Sequence, residues 1–265
     1  MPIKRLVSAL SLIFLSVFAI VFRPMCAFCV TFLIALGLYE FFNMVEKKGI
    51  PIYKYVGIAI GVTIPLSIFF KFEPTKSWEL LFMVLVLLSI TILQFRRPYN
   101  KDAIVGMSTT IFGILYIAWF FSFVLKLRIS FPQGVKLLAM LVWITKTTDI
   151  GAYLIGSRFG KTPLIPRISP GKTVEGAIGG IIFSVLASVA TKPWVPFSYL
   201  QLVIFGVVLS VLAQFGDLSE SLIKRDCQVK DSGNLFPGMG GVLDAIDSLL
   251  FTAPIFYFYI SSILK

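Results

Sequence analysis

The sequence contains no histidine, and this absence excludes several classes of enzyme chemistry. A Ser-His-Asp triad, a histidine-ligated zinc site and an imidazole general base all require that side chain. Proton transfer or metal binding must therefore use carboxylates, lysines, hydroxyls, thiols or a group of the substrate.

Cysteine is also scarce, with three residues in a chain of 265. Cys26 and Cys29 form a Cys-x-x-Cys pair, but they begin an apolar stretch and no second pair completes a zinc site. We interpret them as small apolar residues of the interior. Cys227 lies in a polar segment without a histidine partner, which makes it a poor candidate nucleophile. The pattern does not fit a disulfide-stabilised secreted scaffold.

Charged residues make up only 14% of the chain, whereas 57% of its residues are hydrophobic and the net charge is +11. A soluble domain carries about 25% charged residues. Together with a mean hydropathy of +0.91, this composition predicts an integral membrane protein and excludes intrinsic disorder. We expect a lipid bilayer to surround the chain and no nucleic acid to bind it.

Nine apolar stretches approach the roughly 20 residues that a helix needs to cross a bilayer core. Their length and their lack of two-residue alternation favour helices over the strands of a membrane barrel. We therefore predict an all-α, polytopic membrane bundle of about nine transmembrane helices. The stretches lie near residues 6–22, 26–45, 53–70, 78–95, 104–125, 134–156, 176–191, 199–216 and 248–264.

The basic residues predict an orientation in the membrane. Fifteen lysines and arginines fall on the side of the N-terminus and of the loops after even-numbered stretches, whereas eight fall on the other side. Basic residues concentrate in cytoplasmic loops. We therefore expect a cell membrane protein with a cytoplasmic N-terminus, an external C-terminus and cytoplasmic loops at 157–175 and 217–247.

Acidic residues are unevenly distributed, since eight of the 13 lie after residue 148. Ionisable groups in or beside spans cost free energy, so a cluster of them indicates function. We expect residues 1–130 to form a scaffold of transmembrane helices. Residues 131–265 are expected to form the functional region of the same integrated membrane domain.

Three segments of that region carry candidate functional residues. In the first, Lys146 and Asp149 are three residues apart and can share a helix face. They are either a mutually neutralising pair within a span or part of a polar cavity in which Asp149 holds a cation or a substrate group. The second segment, residues 156–176, is rich in glycine, serine, threonine and lysine. That composition is typical of a phosphate-binding loop, although an ordinary basic cytoplasmic loop remains an alternative.

The third segment, residues 217–247, contains six carboxylates and three cationic side chains. Asp244 and Asp247 project from one face if the segment is helical there. Without histidine or a second thiolate, such carboxylates predict an all-oxygen site for Mg²⁺ or another hard cation. Neighbouring lysines and arginines would bind phosphates. The chemistry indicated is phosphoryl or nucleotidyl transfer.

The three segments contain a set of residues in a fixed order and spacing, namely Asp149, Gly151 to Tyr153, Phe159 to Lys161, Ser169, Pro170, Lys172, Thr173, Glu175, Gly176, Ser221, Lys224, Arg225, Lys230, Asp231, Gly233, Phe236 to Gly238, Gly240, Gly241, Asp244 and Asp247. In this pattern the chain resembles the phosphatidate cytidylyltransferases, also called CDP-diacylglycerol synthases, over about 100 residues, roughly 145–248. Two positions depart from that family's pattern. Met239 stands where the family usually has histidine, and Ala245 stands where it usually has arginine.

The resemblance implies transfer of CMP from CTP to phosphatidic acid, which gives CDP-diacylglycerol and pyrophosphate. It implies Mg²⁺ as the cofactor and leaves a second cation and a homodimer open. The implied metal ligands are Asp217, Asp244, Asp247 and Asp149. The implied catalytic residues are Asp217, Asp244, Lys224 and Arg225. The implied substrate-binding residues are Ser169, Lys172, Thr173, Lys161, Ser221, Lys230, Asp231, Gly240 and Gly241.

Two other functions remain as alternatives. Another CTP-dependent lipid enzyme, such as a polyprenol kinase or an ether-lipid cytidylyltransferase, needs the same metal and cationic loops. An anion transporter would instead line a pathway with the charged residues. The concentration of charge in loops and span ends favours an enzyme over a transporter.

Overall fold

The computed structural model describes residues 17–72, 74–75, 77–98, 100–235 and 240–264. Within them the chain folds into eight long helices and one short antiparallel hairpin. The elements are α1 (Arg23–Lys47), α2 (Lys54–Phe70), α3 (Trp78–Phe95), α4 (Ala103–Ser130), α5 (Gly134–Phe159), β1 (Pro163–Ile165), β2 (Ser169–Thr173), α6 (Val174–Ala190), α7 (Tyr199–Asp226) and α8 (Val242–Ile263).

The predicted all-α membrane fold is confirmed. Six helices, namely α1, α3, α4, α5, α7 and α8, are long and apolar enough to cross a membrane, while α2 and α6 are apolar but have 17 residues each. These eight helices match the second to ninth predicted stretches. The first stretch, 6–22, lies mostly outside the described residues, of which 17–21 are helical.

Two helices extend further than the hydropathy pattern predicts. Helix α7 continues for ten residues beyond position 216, and α8 begins at Val242 rather than near 248. Polar residues end an apolar stretch without ending a helix, because the backbone hydrogen bonds continue and the basic residues of the last turn favour the helix C-terminus. The candidate residues Asp217, Asp244 and Asp247 therefore lie on helices.

The chain divides into two compact units, and the first contains Met1–Leu125 and Ser232–Leu243. In this unit α1 contributes Phe41 and Phe42, which are buried against α2 and α4. A Cβ at Gly57 would lie only 2.7 Å from the ring of Phe42. Arg97 donates to the backbone carbonyls of Pro51 and Ile52 at 2.9 Å, which ties the loop after α3 to the loop after α1.

The second unit contains Lys126–Asp231 and Asp244–Lys265. Helices α5, α6 and α7 pack closely in it through small residues, as membrane helices commonly do. Gly151 lies against Phe183, and the hydroxyl of Ser184 donates to the carbonyl of Gly206 at 2.7 Å. Ser188 donates to Leu202 in the same way, so the α6–α7 contact is both tight and hydrogen-bonded.

Gly206→Ala is expected to destabilise the protein, although alanine is ordinarily the better helix former. A Cβ at this position would lie 2.5 Å from the Cα of Val185, so α6 and α7 would have to move apart. We expect the free energy of unfolding, measured in detergent, to fall by about 1–3 kcal/mol. Gly171→Ala is the control, because nothing lies within 4 Å of a Cβ there. Equal losses in the two variants would contradict the prediction.

Candidate active site

The C-terminal end of α7 and the first turns of α8 form the framework of the site in the second unit. Asp217, Glu220 and Lys224 follow one another at spacings of three and four residues along α7, which places them on one helix face. Gly216 lies directly against the backbone carbonyl of Asp247, and any Cβ at this position would overlap it. The backbones of the two helices therefore approach closely beside the acidic residues.

Three carboxylates form a group that could hold a metal ion. One oxygen each of Asp217, Glu220 and Asp247 lies within 4.8 Å of the other two. Glu220 is fully buried, Asp247 is 7% exposed, and Glu220 Oε1 has no hydrogen-bond donor. Buried carboxylates are stable only when they are paired or coordinate a cation. This all-oxygen donor set fits a hard divalent cation such as Mg²⁺.

Lys224 neutralises part of this acidic group and joins the two helices. Its Nζ lies 2.5 Å from Glu220 Oε2 on the same helix and 2.5 Å from Asp244 Oδ1 on α8. Its side chain is only 12% exposed. The contact fixes the position of the ammonium group at the edge of the carboxylate group.

A second lysine comes from the β hairpin. Lys172 on β2 places its Nζ 2.6 Å from Asp217 Oδ2, and the hydroxyl of Ser221 donates to Asp217 Oδ1 at 3.5 Å. Arg225 Nε donates to the carbonyl of Ile168 at 3.2 Å. The end of α7 therefore contacts the last residue of the turn that precedes β2 and the strand itself.

Lys146 and Asp149 form a pair on α5, with 3.3 Å between Lys146 Nζ and Asp149 Oδ2. Both side chains also contact α8. Lys146 Nζ donates to the carbonyl of Ala245 at 3.3 Å and to Ser248 Oγ at 3.2 Å, and Ser248 Oγ donates to Asp149 at 3.4 Å. The predicted neutralising pair is present, and it also connects α5 to the helix that carries Asp247.

The loop before the hairpin is held by the first turn of α6. The carboxylate of Glu175 accepts the backbone N–H groups of Lys161 at 3.0 Å and Thr162 at 3.1 Å. These hydrogen bonds, together with one from its own backbone, lower the pKa of Glu175 to about 2. Thr173 caps α6, because its hydroxyl oxygen accepts the N–H of Gly176 at 3.1 Å. Ser169, Lys172 and Thr173, three of the residues predicted to bind substrate, therefore lie on an ordered hairpin.

The structure brings some of the predicted site residues together and not others. Their individual roles stay predictions. The lysines at 161 and 230 and the carboxylate of Asp231 are exposed. Gly240 and Gly241 lie in the first unit, and Met239 lies outside the described residues. The predicted residues that meet around the carboxylates in the second unit are Lys172, Asp217, Ser221, Lys224, Asp244 and Asp247.

Sequence reasoning missed two acidic residues. Glu220 belongs to the carboxylate group, and its position three residues after Asp217 on a continuing helix would have identified it. Glu40 on α1 contacts the first two residues of α8, Val242 and Leu243. No local pattern indicates that contact, because about 200 residues separate the partners.

Comparisons with known proteins agree with the site's chemistry. The model of the cytidylyltransferase family matches residues 3–263. The chain is 36% identical over 233 residues to the phosphatidate cytidylyltransferase of Bacillus subtilis, an alignment that covers 86% of this chain and 85% of that protein. It is 31% identical to the phosphatidate cytidylyltransferase of Synechocystis, over 98% of this chain and 97% of that protein. For the enzyme of the same name from Staphylococcus saprophyticus the identity is 35%, with 80% of each chain covered.

Glu175→Ala is expected to loosen the loop before the hairpin. Removing the carboxylate leaves the N–H groups of Lys161 and Thr162 without their acceptor, so their hydrogen exchange should accelerate about tenfold at pH 7. Because the pKa is lowered, this stabilisation is fully present above the ordinary value of 4.5 and is lost as the pH falls through about 2. Hydrogen-exchange mass spectrometry measures the change.

Glu79→Ala serves as the control for that experiment. Glu79 is an exposed acidic residue in the first turn of α3, in the other unit. Its loss should leave exchange at Lys161 and Thr162 unchanged. Unaltered exchange in Glu175→Ala would show that other contacts order the loop.

Proposed function

Because the chain belongs to the cytidylyltransferase family, we propose that it transfers CMP from CTP to phosphatidic acid, releasing pyrophosphate and forming CDP-diacylglycerol. The observation that carries the proposal is the group of Asp217, Glu220 and Asp247 with Lys172 and Lys224 at its edge. Oxygen ligands for a divalent cation and ammonium groups for phosphates are the two requirements of nucleotidyl transfer. Relatives named for this activity align with most of the chain.

The reaction needs little acid–base help from the protein. A phosphate oxygen of phosphatidic acid attacks the α-phosphorus of CTP and forms a new P–O bond. The bond to the β-phosphate oxygen breaks, and pyrophosphate leaves with that electron pair. Because the attacking phosphate is already ionised, no strong general base is required. A chain without histidine is therefore sufficient for the reaction.

We assign the metal to Asp217, Glu220 and Asp247. A bound Mg²⁺ would stabilise the negative charge of the triphosphate. Asp244 and Asp149, the other two predicted ligands, contact Lys224 and Lys146. We assign those two carboxylates to orienting the lysines beside the metal group.

Lys172 and Lys224 are the proposed phosphate-binding cations. In the structure each is held by a carboxylate, so each ammonium group is oriented before substrate arrives. Preorganised cations of this kind stabilise charge without a further cost of reorganisation. Arg225 has a different proposed part, because its guanidinium holds the carbonyl of Ile168 and thereby the turn before β2.

The orientation of the chain also belongs to this proposal, with the active-site loops in the cytoplasm where CTP is available. Contacts inside each unit support the assignment of these loops to one side of the membrane. The loops after α1 and α3 meet through Arg97 and Pro51, and the end of α7 meets the hairpin through Arg225 and Ile168. Each contact joins loops that the basic-residue count assigns to the same side.

The proposed reaction is tested with CTP radiolabelled at the α-phosphate, phosphatidic acid and Mg²⁺ on detergent-purified protein. We expect label to enter the lipid phase with phosphatidic acid and not with a polyprenol, and chelation of divalent cations to abolish the transfer. Asp247→Asn should lower the rate by about 100-fold or more, since electrostatic groups at such sites contribute on that order.

Asp102→Asn is the matched control for Asp247→Asn. Asp102 is exposed before α4 with a φ of 54°, a conformation that asparagine tolerates well. This variant should keep the wild-type rate. If γ-labelled CTP labels a polyprenol and α-labelled CTP labels no lipid, the alternative lipid-kinase function is favoured. If it uses no lipid at all, the proposed function is wrong.

The proposed orientation is tested by cysteine labelling after Cys26, Cys29 and Cys227 are replaced by alanine. Arg167→Cys places a thiol on the exposed turn of the hairpin, and Trp194→Cys places one in the exposed loop after α6. A membrane-impermeant maleimide should label position 167 in inside-out vesicles and position 194 in intact cells. The reverse pattern would overturn the orientation.

A further inference from the structure

Glu40 on α1 accepts hydrogen bonds from the segment before α8 and from the first two residues of that helix. Its Oε1 accepts the backbone N–H of Val242 at 2.9 Å. Its Oε2 accepts the N–H of Leu243 at 3.0 Å and the hydroxyl of Ser232 at 2.9 Å. All of these residues belong to the first compact unit. One carboxylate therefore holds both sides of the segment that contains Gly240 and Gly241.

Gly233 and Gly241 have no side chains, and the carboxylate of Glu40 occupies the space where side chains would lie. A Cβ at Gly233 would overlap Glu40 Oε1, and a Cβ at Gly241 would overlap both carboxylate oxygens and the hydroxyl of Ser232. Gly240, with a φ of 93°, provides the left-handed turn before the helix. Gly233 and Gly241 therefore permit the close approach of Glu40, and Gly240 permits the left-handed backbone turn.

The contact determines how α8 begins. The first N–H groups of a helix have no partner inside the helix, and a negative charge there is favourable. Glu40 supplies both the acceptors and the charge for Val242 and Leu243. Asp244 is the next residue, and Asp247 follows one turn later. Glu40 therefore caps the helix whose first two turns carry both carboxylates.

We propose that Glu40 is a positioning residue for cytidylyl transfer. It holds the Gly240–Gly241 segment, a predicted nucleotide contact, and it fixes the first turn of the helix that carries Asp244 and Asp247. Glu40 acts through these groups and does not itself contact the reacting atoms. This inference rests on the proposed function, because it assigns Glu40 to the same reaction.

Glu40→Gln tests the proposal with little change in side-chain size. Glutamine can accept only one of the two backbone N–H groups, because its amide NH₂ would face the other donor. We expect kcat/KM for CTP to fall by about 10- to 100-fold, since small misplacements of reacting groups have effects of this order. Most of the loss should appear as a higher KM for CTP. Glu40→Asp, which keeps the charge, should lose less.

Glu46→Gln is the matched control. Glu46 lies on the same helix six residues later, where it pairs with Lys54 at 3.0 Å and is 44% exposed. The same chemical change there should leave KM for CTP at the wild-type value. A purely structural role for Glu40 would lower the amount of folded enzyme, and hence the apparent kcat, without changing KM.

The outcomes separate this inference from the proposed function. If the wild-type protein makes no CDP-diacylglycerol, the proposed function fails. If the wild type is active and Glu40→Gln keeps its KM for CTP, the positioning role is overturned. Should Glu40→Gln not fold, Ser232→Ala removes one of the three hydrogen bonds and is expected to raise KM for CTP several-fold. An unchanged KM in that variant would likewise overturn the inference.

Discussion

Neutralisation of buried charge around Lys224 is the constraint on which the site depends. Its ammonium group lies between Glu220, which is fully buried, and Asp244, which is 11% exposed. Charges removed from water are tolerated only when they are paired, and breaking such a pair costs about 3–5 kcal/mol. Because one partner is on α7 and the other on α8, the two helices must lie side by side here. The close approach at Gly216 is the steric counterpart of the same requirement.

The charged groups around Lys224 carry an excess of negative charge, which fits the proposed binding of a metal ion. Lys172 and Lys224 contact the carboxylates of Asp217, Glu220 and Asp244. Asp247 is the fourth carboxylate beside them. With all of these groups ionised, four negative charges meet two positive ones, which leaves an excess of two. A divalent cation would balance that excess, and a triphosphate bound to it would bring new partners for the lysines. Electrostatics inside an apolar bundle thus links the proposed metal to the proposed substrate.

Much of the fold was predictable because membrane helices have a strong sequence pattern. The apolar stretches correctly identified eight helices, since a bilayer requires long uninterrupted runs. The pattern failed at polar helix ends, where hydropathy changes but backbone hydrogen bonding does not. It therefore treated Asp217 and Glu220 as loop residues. The hairpin at 163–173 was also missed, because a glycine- and proline-rich basic segment gives no alternating signal.

The chemical character of the site was predictable from the sequence, whereas the contacts between particular lysines and carboxylates were less so. Residue types alone indicated an oxygen-ligand metal site with cationic neighbours. Which lysine contacts which carboxylate depends on tertiary packing, as with Lys172 and Asp217, which are 45 positions apart. Glu40 is the extreme case, since its partners Val242 and Leu243 offer only backbone groups and so carry no side-chain signal.

The length of α7 has a consequence for where the chemistry takes place. Its 28 residues make a helix about 42 Å long, whereas the hydrocarbon core of a bilayer is about 30 Å thick. Residues 199–216 are its apolar part, so a bilayer core placed around them would leave the last turns, which carry Glu220 and Lys224, at the level of the headgroups. A phospholipid's phosphate already sits at that depth. The lipid substrate can thus meet a water-soluble nucleotide by lateral diffusion alone, with its acyl chains never leaving the leaflet.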